Sequence, residues 1–262
     1  MKVILIGDVF GEPGREMVKS HLPALRRKHT ADFVVVNGEN AAGGKGITAK
    51  IAQDFFEWGA DVITTGNHVW DQREIIKYIA HEPRLLRPAN FASSAPGRGA
   101  GIFRAAGGIN IGVMQVQGRL FMQNSDCPFA AADRELEQMK GKIDFVLVDT
   151  HAEASSEKQG LGFYLDGRVA AVVGTHTHVQ TADERILPKG TAYITDLGMS
   201  GPYNSVIGLD KDVAIRKWVT QVPMEQFKVG EGDARLCGVI VDVNESTGLA
   251  RSITRIQERL IA

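Results

Sequence analysis

Cysteine is scarce in this chain: Cys127 and Cys237 are the only two among 262 residues. Two thiols cannot build a disulfide framework, and these two lack the paired spacing of a zinc or thioredoxin-like site. A reducing cytoplasm is the expected compartment. Long hydrophobic runs are also missing, for nowhere do the roughly 18 consecutive apolar residues of a transmembrane helix occur, so no membrane partner is expected. The first residues, Met1-Lys2-Val3-Ile4-Leu5-Ile6-Gly7-Asp8, have a short apolar run but no cleavage site, and they read as a strand, not a signal peptide. Charge of one sign is absent too. Lys and Arg total 30 against 31 Asp and Glu, a net charge of -1, which leaves no bulk positive field for non-specific binding of nucleic acid.

What remains is an ordinary globular composition, 44% hydrophobic and 23% charged, with ample chain for a core. Short β-branched runs alternate with stretches of helical spacing, the signature of α/β units whose strands are buried on both faces. Strands are predicted at Val3 to Ile6, Phe33 to Val36, Val62 to Thr65, Ile109 to Val116, Ile143 to Val148, Val169 to Val173, Thr191 to Thr195 and Val239 to Val243. Helices are predicted from Arg15 to His29, from an N-cap at Thr48 to about Trp58, from about Gln72 to Ala80, and near Ala130 to Met139. A strand and a short helical tail should end the chain. The Gly/Ala/Ser-rich stretch Ser93 to Gly108 reads as a flexible join, yet similar elements flank it, and a single domain over residues 1–262 is expected. Trp58, Trp70 and Trp218 read as packing residues.

The chemistry lies just beyond the end of each strand. Asp8 comes after the first, Asn37-Gly38-Glu39-Asn40 after the second, Gly66-Asn67-His68 after the third, Asp149-Thr150-His151 after a later one, and Gly174-Thr175-His176-Thr177-His178 after another. Parallel strands present their carboxyl ends at one edge, so these loops converge. His176 and His178, two apart, point to the same side if extended and can clamp one metal or serve two. Oxygen and imidazole donors without thiolate suit manganese, iron or zinc. Two lookalikes fail: Gly43-Gly44-Lys45-Gly46 breaks the phosphate-loop template at both ends, and Pro202 spoils Gly198-Met199-Ser200-Gly201 as a nucleophile elbow. Lys45 is nonetheless placed on a glycine-rich lip beside Glu39, where it can meet substrate.

This order of motifs resembles the calcineurin-like metallophosphoesterases, whose signature runs Asp-x-His, Gly-Asp, Gly-Asn-His, a lone His and Gly-His-x-His. Here Phe10 stands in place of the first family histidine, and Glu39 in place of the bridging aspartate. With Gly-Asp-Val-Phe-Gly, Val-Asn-Gly-Glu-Asn-Ala-Ala-Gly-Gly-Lys-Gly and Thr-Asp-Leu-Gly-Met-Ser-Gly-Pro, the chain resembles a bacterial subfamily linked to 2′,3′-cyclic nucleotide phosphodiesterase activity.

The resemblance implies a four-layer α/β/β/α sandwich with two central mixed sheets and two metal ions, iron or manganese before zinc. Asp8, Glu39 and His178 would hold one ion, and Glu39, Asn40, Asn67, His151 and His176 the other. His68 would stay free as general acid, while metal-bound hydroxide attacks a cyclic nucleotide or an RNA end. Two divalent ions against the two carboxylates leave a net positive site for phosphate. Two alternatives stand beside this: an amidohydrolase barrel, where the His-x-His pair would come on the first strand, and a regulatory protein that binds nucleotide or metal with little turnover. The apolar residues Tyr203, Val206, Ile207, Trp218 and Val219 between Gly201 and Arg235 mark where specificity or the contacts of a homo-oligomer are expected.

Overall fold

The computed structural model describes residues 1–223 and 227–259. Two mixed sheets pack face to face, with helices on both outer faces. In the first sheet, β1 (Lys2–Ile6), β2 (Phe33–Asn37), β3 (Val62–Thr64) and β4 (Leu85–Leu86) run parallel in that order. The second sheet is built around parallel β6 (Asn110–Gln117), β7 (Phe145–His151), β8 (Ala171–Thr175) and β10 (Ala192–Ile194), edged by antiparallel β5 (Ala100–Arg104) and β9 (Arg185–Ile186). Late strands then complete the first sheet. β12 (Ala234–Asn244) lies antiparallel against β1, and both β11 (Gly201–Pro202) and β13 (Leu249–Arg259) pair with β12.

Burial explains why these runs are strands. Phe33-Val34-Val35-Val36-Asn37 is buried at every position, because alternate side chains enter different cores. Val3, Leu5, Phe33 and Val35 meet Val113, Leu147, Ala171 and Ile194 between the sheets. Ile4, Ile6, Val34 and Val36 face the other way. There they pack on Met17, Val18, Leu22 and Leu25 of α1 (Gly11–His29), on Ala52 and Phe55 of α2 (Ala49–Glu57), and on Ile75 and Ile79 of α3 (Ile75–Ile79). On the far side, Met114, Val116, Val146, Val148 and Tyr193 pack against Ala131, Ala132 and Met139 of α4 (Pro128–Met139) and Leu161 and Leu165 of α5 (Ser155–Leu165). The layers are therefore α/β/β/α, as the resemblance implied.

Local signals agree with the structure where capping chemistry is explicit. The Thr48 hydroxyl accepts from the Ile51 amide at 3.2 Å and starts α2. Arg26, Arg27, Lys28 and His29 occupy the last turn of α1, where positive charge meets the helix dipole. Other expectations are corrected. The stretch Ser93 to Gly108 contains β5, paired with β6 over five residues, because a sheet edge needs only one usable ladder. The end of the chain runs as β13 to Arg259 with no helix among the described residues; a tail beyond lies outside them. Helices α5 and α6 (Lys211–Thr220) are not among the predicted helices: α5 buries a narrow face of Lys158, Leu161, Gly162 and Leu165 that includes a charged residue and a glycine, and only Ala214 of α6 is buried. Trp58 and Trp70 pack against the helix-side core, but Trp218 is 64% exposed.

Phe55 is fully buried between α2 and the first sheet. Phe55→Ala should cost about 3–5 kcal/mol, read as a fall in the urea midpoint of unfolding with an unchanged slope.

Candidate metal centre

Backbone hydrogen bonds extend the sheet order beyond the strand ends and so fix the loops. The Val9 amide donates to the Asn37 carbonyl at 2.9 Å, Gly38 to Thr64 at 2.9 Å, and Ser200 to the Asp8 carbonyl at 2.8 Å. Asp8, Glu39, Asn40 and His151 are buried as a result, and His178 nearly so. Asn67, His68 and His176 are half-buried. All lie at the common carboxyl edge, and all but His68 fall in two adjoining groups.

The first group surrounds His151. Its Nε2 lies 2.6 Å from Glu39 Oε2, 2.9 Å from Asn67 Oδ1 and 3.1 Å from His176 Nδ1. Donor atoms of Glu39, His151 and His176 all sit within 4.8 Å of one another. The second group is Asp8, Asn40 and His178: His178 Nε2 is 3.9 Å from Asp8 Oδ1 and 3.2 Å from Asn40 Nδ2. Asn40 thus stands beside His178 and not in the His151 group, where the resemblance placed it. The backbones of His176 and His178 have φ of 97° and 66°, so the pair does not lie on an extended strand as read from its spacing. The left-handed turn sends one imidazole to each group, a strained conformation of the kind found at functional sites.

Gly66 shows how tightly the site is drawn. A Cβ there would sit 2.6 Å from Glu39 Oε1 and would overlap the His151 ring nitrogen. That is the physical need for glycine in Gly66-Asn67-His68.

Electrostatics separates the donors. Burial raises Asp8 to about 6, against the pull of His178 and His151. Burial would raise Glu39 as well, but the charge and hydrogen bond of His151 together with the amide and charge of His68 outweigh it and bring Glu39 down to about 2. His151 is lowered by burial and raised more by Glu39, ending at about 9. Burial, with the positive charge of His151, pushes His176 down to about 3. An ionised carboxylate and a neutral imidazole are the forms that bind metal. Two buried carboxylate oxygens, Asp8 Oδ1 and Glu39 Oε2, have no aligned hydrogen-bond donor. A buried anion left so is costly, and a cation removes that cost, so the donors present fit a metal.

Several supporting residues went unrecognised in the sequence. Asp149, buried on β7, accepts from Asn37 Nδ2 at 3.0 Å, Thr64 Oγ1 at 2.6 Å, Gln115 Nε2 at 3.0 Å and Thr175 Oγ1 at 2.7 Å. The Thr175 hydroxyl also lies 2.9 Å from His151 Nδ1, orienting that ring. Asp196, directly beyond β10, holds the Thr177 amide at 3.1 Å, the Thr177 hydroxyl at 2.7 Å and the buried Lys158 ammonium at 2.7 Å. The signal available was position: Asp149 and Asp196 also stand at the carboxyl ends of strands. Ser200 is buried and bonds Cys237, so Gly198 to Gly201 is a structural turn behind Asp8.

A cavity of about 370 Å³ opens onto this edge, and its lining includes His68, His176 and His178 together with Phe10, Lys45, Ile207, Leu209 and Phe227. Larger hollows of about 630 Å³ lie elsewhere, near Arg87 and near Trp70 and Asn90, away from the donors.

Paired mixed sheets with carboxylates, carboxamides and imidazoles at a shared edge define a metallophosphoesterase-like protein. Residues 4–256 match the model of the YmdB-like protein family, and the chain belongs to that family. It is 49% identical over 256 residues to a 2′,3′-cyclic-nucleotide 2′-phosphodiesterase of Bacillus subtilis, covering 98% of this chain and 96% of that one. The fold superposes on a crystal structure of a hypothetical protein from Thermus thermophilus with a TM-score of 0.92, at 42% identity and 99% coverage of both chains. It also superposes on a phosphatase from Mycoplasma pneumoniae with a TM-score of 0.93, at 36% identity over 99% of this chain and 93% of the other.

The Lys158–Asp196 pair is almost wholly buried, at 1% and 0% exposure. Lys158→Met should therefore destabilise the fold by roughly 3–5 kcal/mol by leaving Asp196 uncompensated, measured by chemical denaturation.

Proposed function

We propose that the chain is a metal-dependent phosphodiesterase acting on 2′,3′-cyclic nucleotides or the cyclic phosphate of an RNA end. The observation that carries this is the gathering of Asp8, Glu39, His151, His176 and His178 at one edge, with Asp8 Oδ1 and Glu39 Oε2 lacking an aligned hydrogen-bond donor, beside a cavity lined by His68, His176 and His178. The Bacillus subtilis relative supports the substrate class by its name. Asp8, Glu39 and His178, with Asn40 beside His178, would hold one ion, and Glu39, Asn67, His151 and His176 the other. Iron or manganese suits these donors best, zinc less. Bound ions would polarise the phosphate oxygens and supply a nucleophile from water at neutral pH.

The protein's own part is to hold and protonate. His68 lines the cavity without joining either donor group. Its amide donates to Glu39 Oε1 at 2.6 Å, and its Nδ1 lies 2.9 Å from Asp71 Oδ2. Asp71 thus fixes the ring and leaves Nε2 to face substrate. As the phosphorus–oxygen bond breaks, His68 gives a proton to the departing ribose oxygen. Asp8 of the first sheet and His178 of the second share one site, which supports one domain over 1–262. Two unpaired thiols suit a reducing cytoplasm as the compartment.

Purified protein should contain close to two ions per chain by elemental analysis and hydrolyse bis-p-nitrophenyl phosphate and 2′,3′-cyclic AMP. Full metal sites with no hydrolysis would instead support a regulatory, ligand-binding role. His68→Ala should keep its metal and lose roughly a hundredfold or more in turnover; unchanged turnover would remove His68 from the reaction. Glu39→Gln should lose metal from both sites, seen as a drop in bound ions in the same analysis.

A further inference from the structure

One wall of the cavity has no use for a phosphate. Beside the histidines its lining includes Phe10, Ile207, Leu209 and Phe227, a surface that a phosphoryl group cannot exploit and that an aromatic ligand can. Phe10 is 3% exposed and cannot itself offer a face. It instead braces its neighbours: its ring meets His178 edge-on at 5.5 Å and lies 6.2 Å from the Phe227 ring at a 31° tilt. Phe227 is 38% exposed and presents the open ring.

Its position is built, not incidental. Phe227 precedes a stretch laddered to the preceding loop: the Asp210 amide donates to the Lys228 carbonyl at 2.9 Å, and the Gly230 amide to Gly208. The glycine-rich lip passes between the two rings at Gly44, whose φ is 92°. A Cβ there would sit 2.5 Å from Phe227 and 2.8 Å from Phe10, so only glycine lets the lip close on the aromatic wall. The lip then carries Lys45, with Nζ 5.0 Å from the centre of the Phe227 ring, at the mouth of the same cavity.

Resting on the phosphodiesterase reading, we propose that Phe227 is the specificity-determining residue of the site: its ring stacks on the nucleobase while the phosphate lies at the histidine edge. Lys45, beside the ring, adds positive charge at the entrance. Phe10, standing where the resemblance expects a histidine ligand, backs this platform. The site then selects phosphodiesters bearing a planar base over small alkyl diesters.

The test uses the metal-loaded protein. Phe227→Ala should weaken adenosine monophosphate binding by roughly 5- to 150-fold, the range for loss of one base–aromatic stack, while calorimetry shows inorganic phosphate binding unchanged. KM for 2′,3′-cyclic AMP should rise with kcat nearly intact, KM for dimethyl phosphate should not move, and Phe227→Trp should restore binding. Equal weakening for adenosine monophosphate and inorganic phosphate, or none for either, overturns the assignment, as does failure of Trp to rescue. Wild-type protein that hydrolyses no phosphodiester would overturn the parent reading instead, and nucleotide binding by calorimetry would still judge Phe227.

Discussion

The Asp149 carboxylate is the constraint on which the site depends. It is buried between two sheets whose contact is apolar away from this edge, and burial raises its pKa. A carboxyl group so placed needs several donors, and it takes them from both layers: Asn37 and Thr64 from the first sheet, Gln115 and Thr175 from the second. That network sets the register of one sheet against the other at the carboxyl edge, where β2, β3 and β7 all end. Apolar packing alone tolerates sliding; a four-donor carboxylate does not. Glu39 and His151 come from different sheets, and their 2.6 Å approach depends on this lock.

The same edge divides its work between rigid and strained parts. Strands carry His151 and set the loops of Asp8 and Glu39, and Asp196 with Lys158 clamps the turn that carries His176 and His178 in left-handed backbone. Strain of that kind persists only where neighbours over-determine it, which explains a buried ion pair at a position where apolar residues would pack at lower electrostatic cost.

Much of this was legible in the sequence because the site obeys a positional rule. Each donor comes at or just after the end of a strand, so Asp8, Glu39, Asn67, His151 and the two later histidines could be named from the apolar runs before them. The helix from Thr48 was legible through its cap. What escaped lacked a local signature. Asp149 and Asp196 differ from ordinary turn carboxylates only through partners distant in sequence, and β5 hides in a small-residue stretch that is a strand because β6 offers it an edge. The conformation of His176-Thr177-His178 is a tertiary effect, since spacing alone argued for an extended pair. Trp218 misled in the opposite sense, being apolar in type and open to solvent in place.

The order of strands in the first sheet has a consequence for how the protein comes into being. β1, which delivers Asp8, has as its neighbour on one side β12, far along the chain, with Lys2 opposite Asp242 and Ile6 opposite Gly238. During synthesis β1 can pair with β2 while its other edge stays open until Asn244 has left the ribosome. Pairing of such distant segments is intrinsically slow, and an open apolar edge invites wrong partners. The edge that carries Asp8 is therefore a late product of folding, completed when β12 pairs with β1.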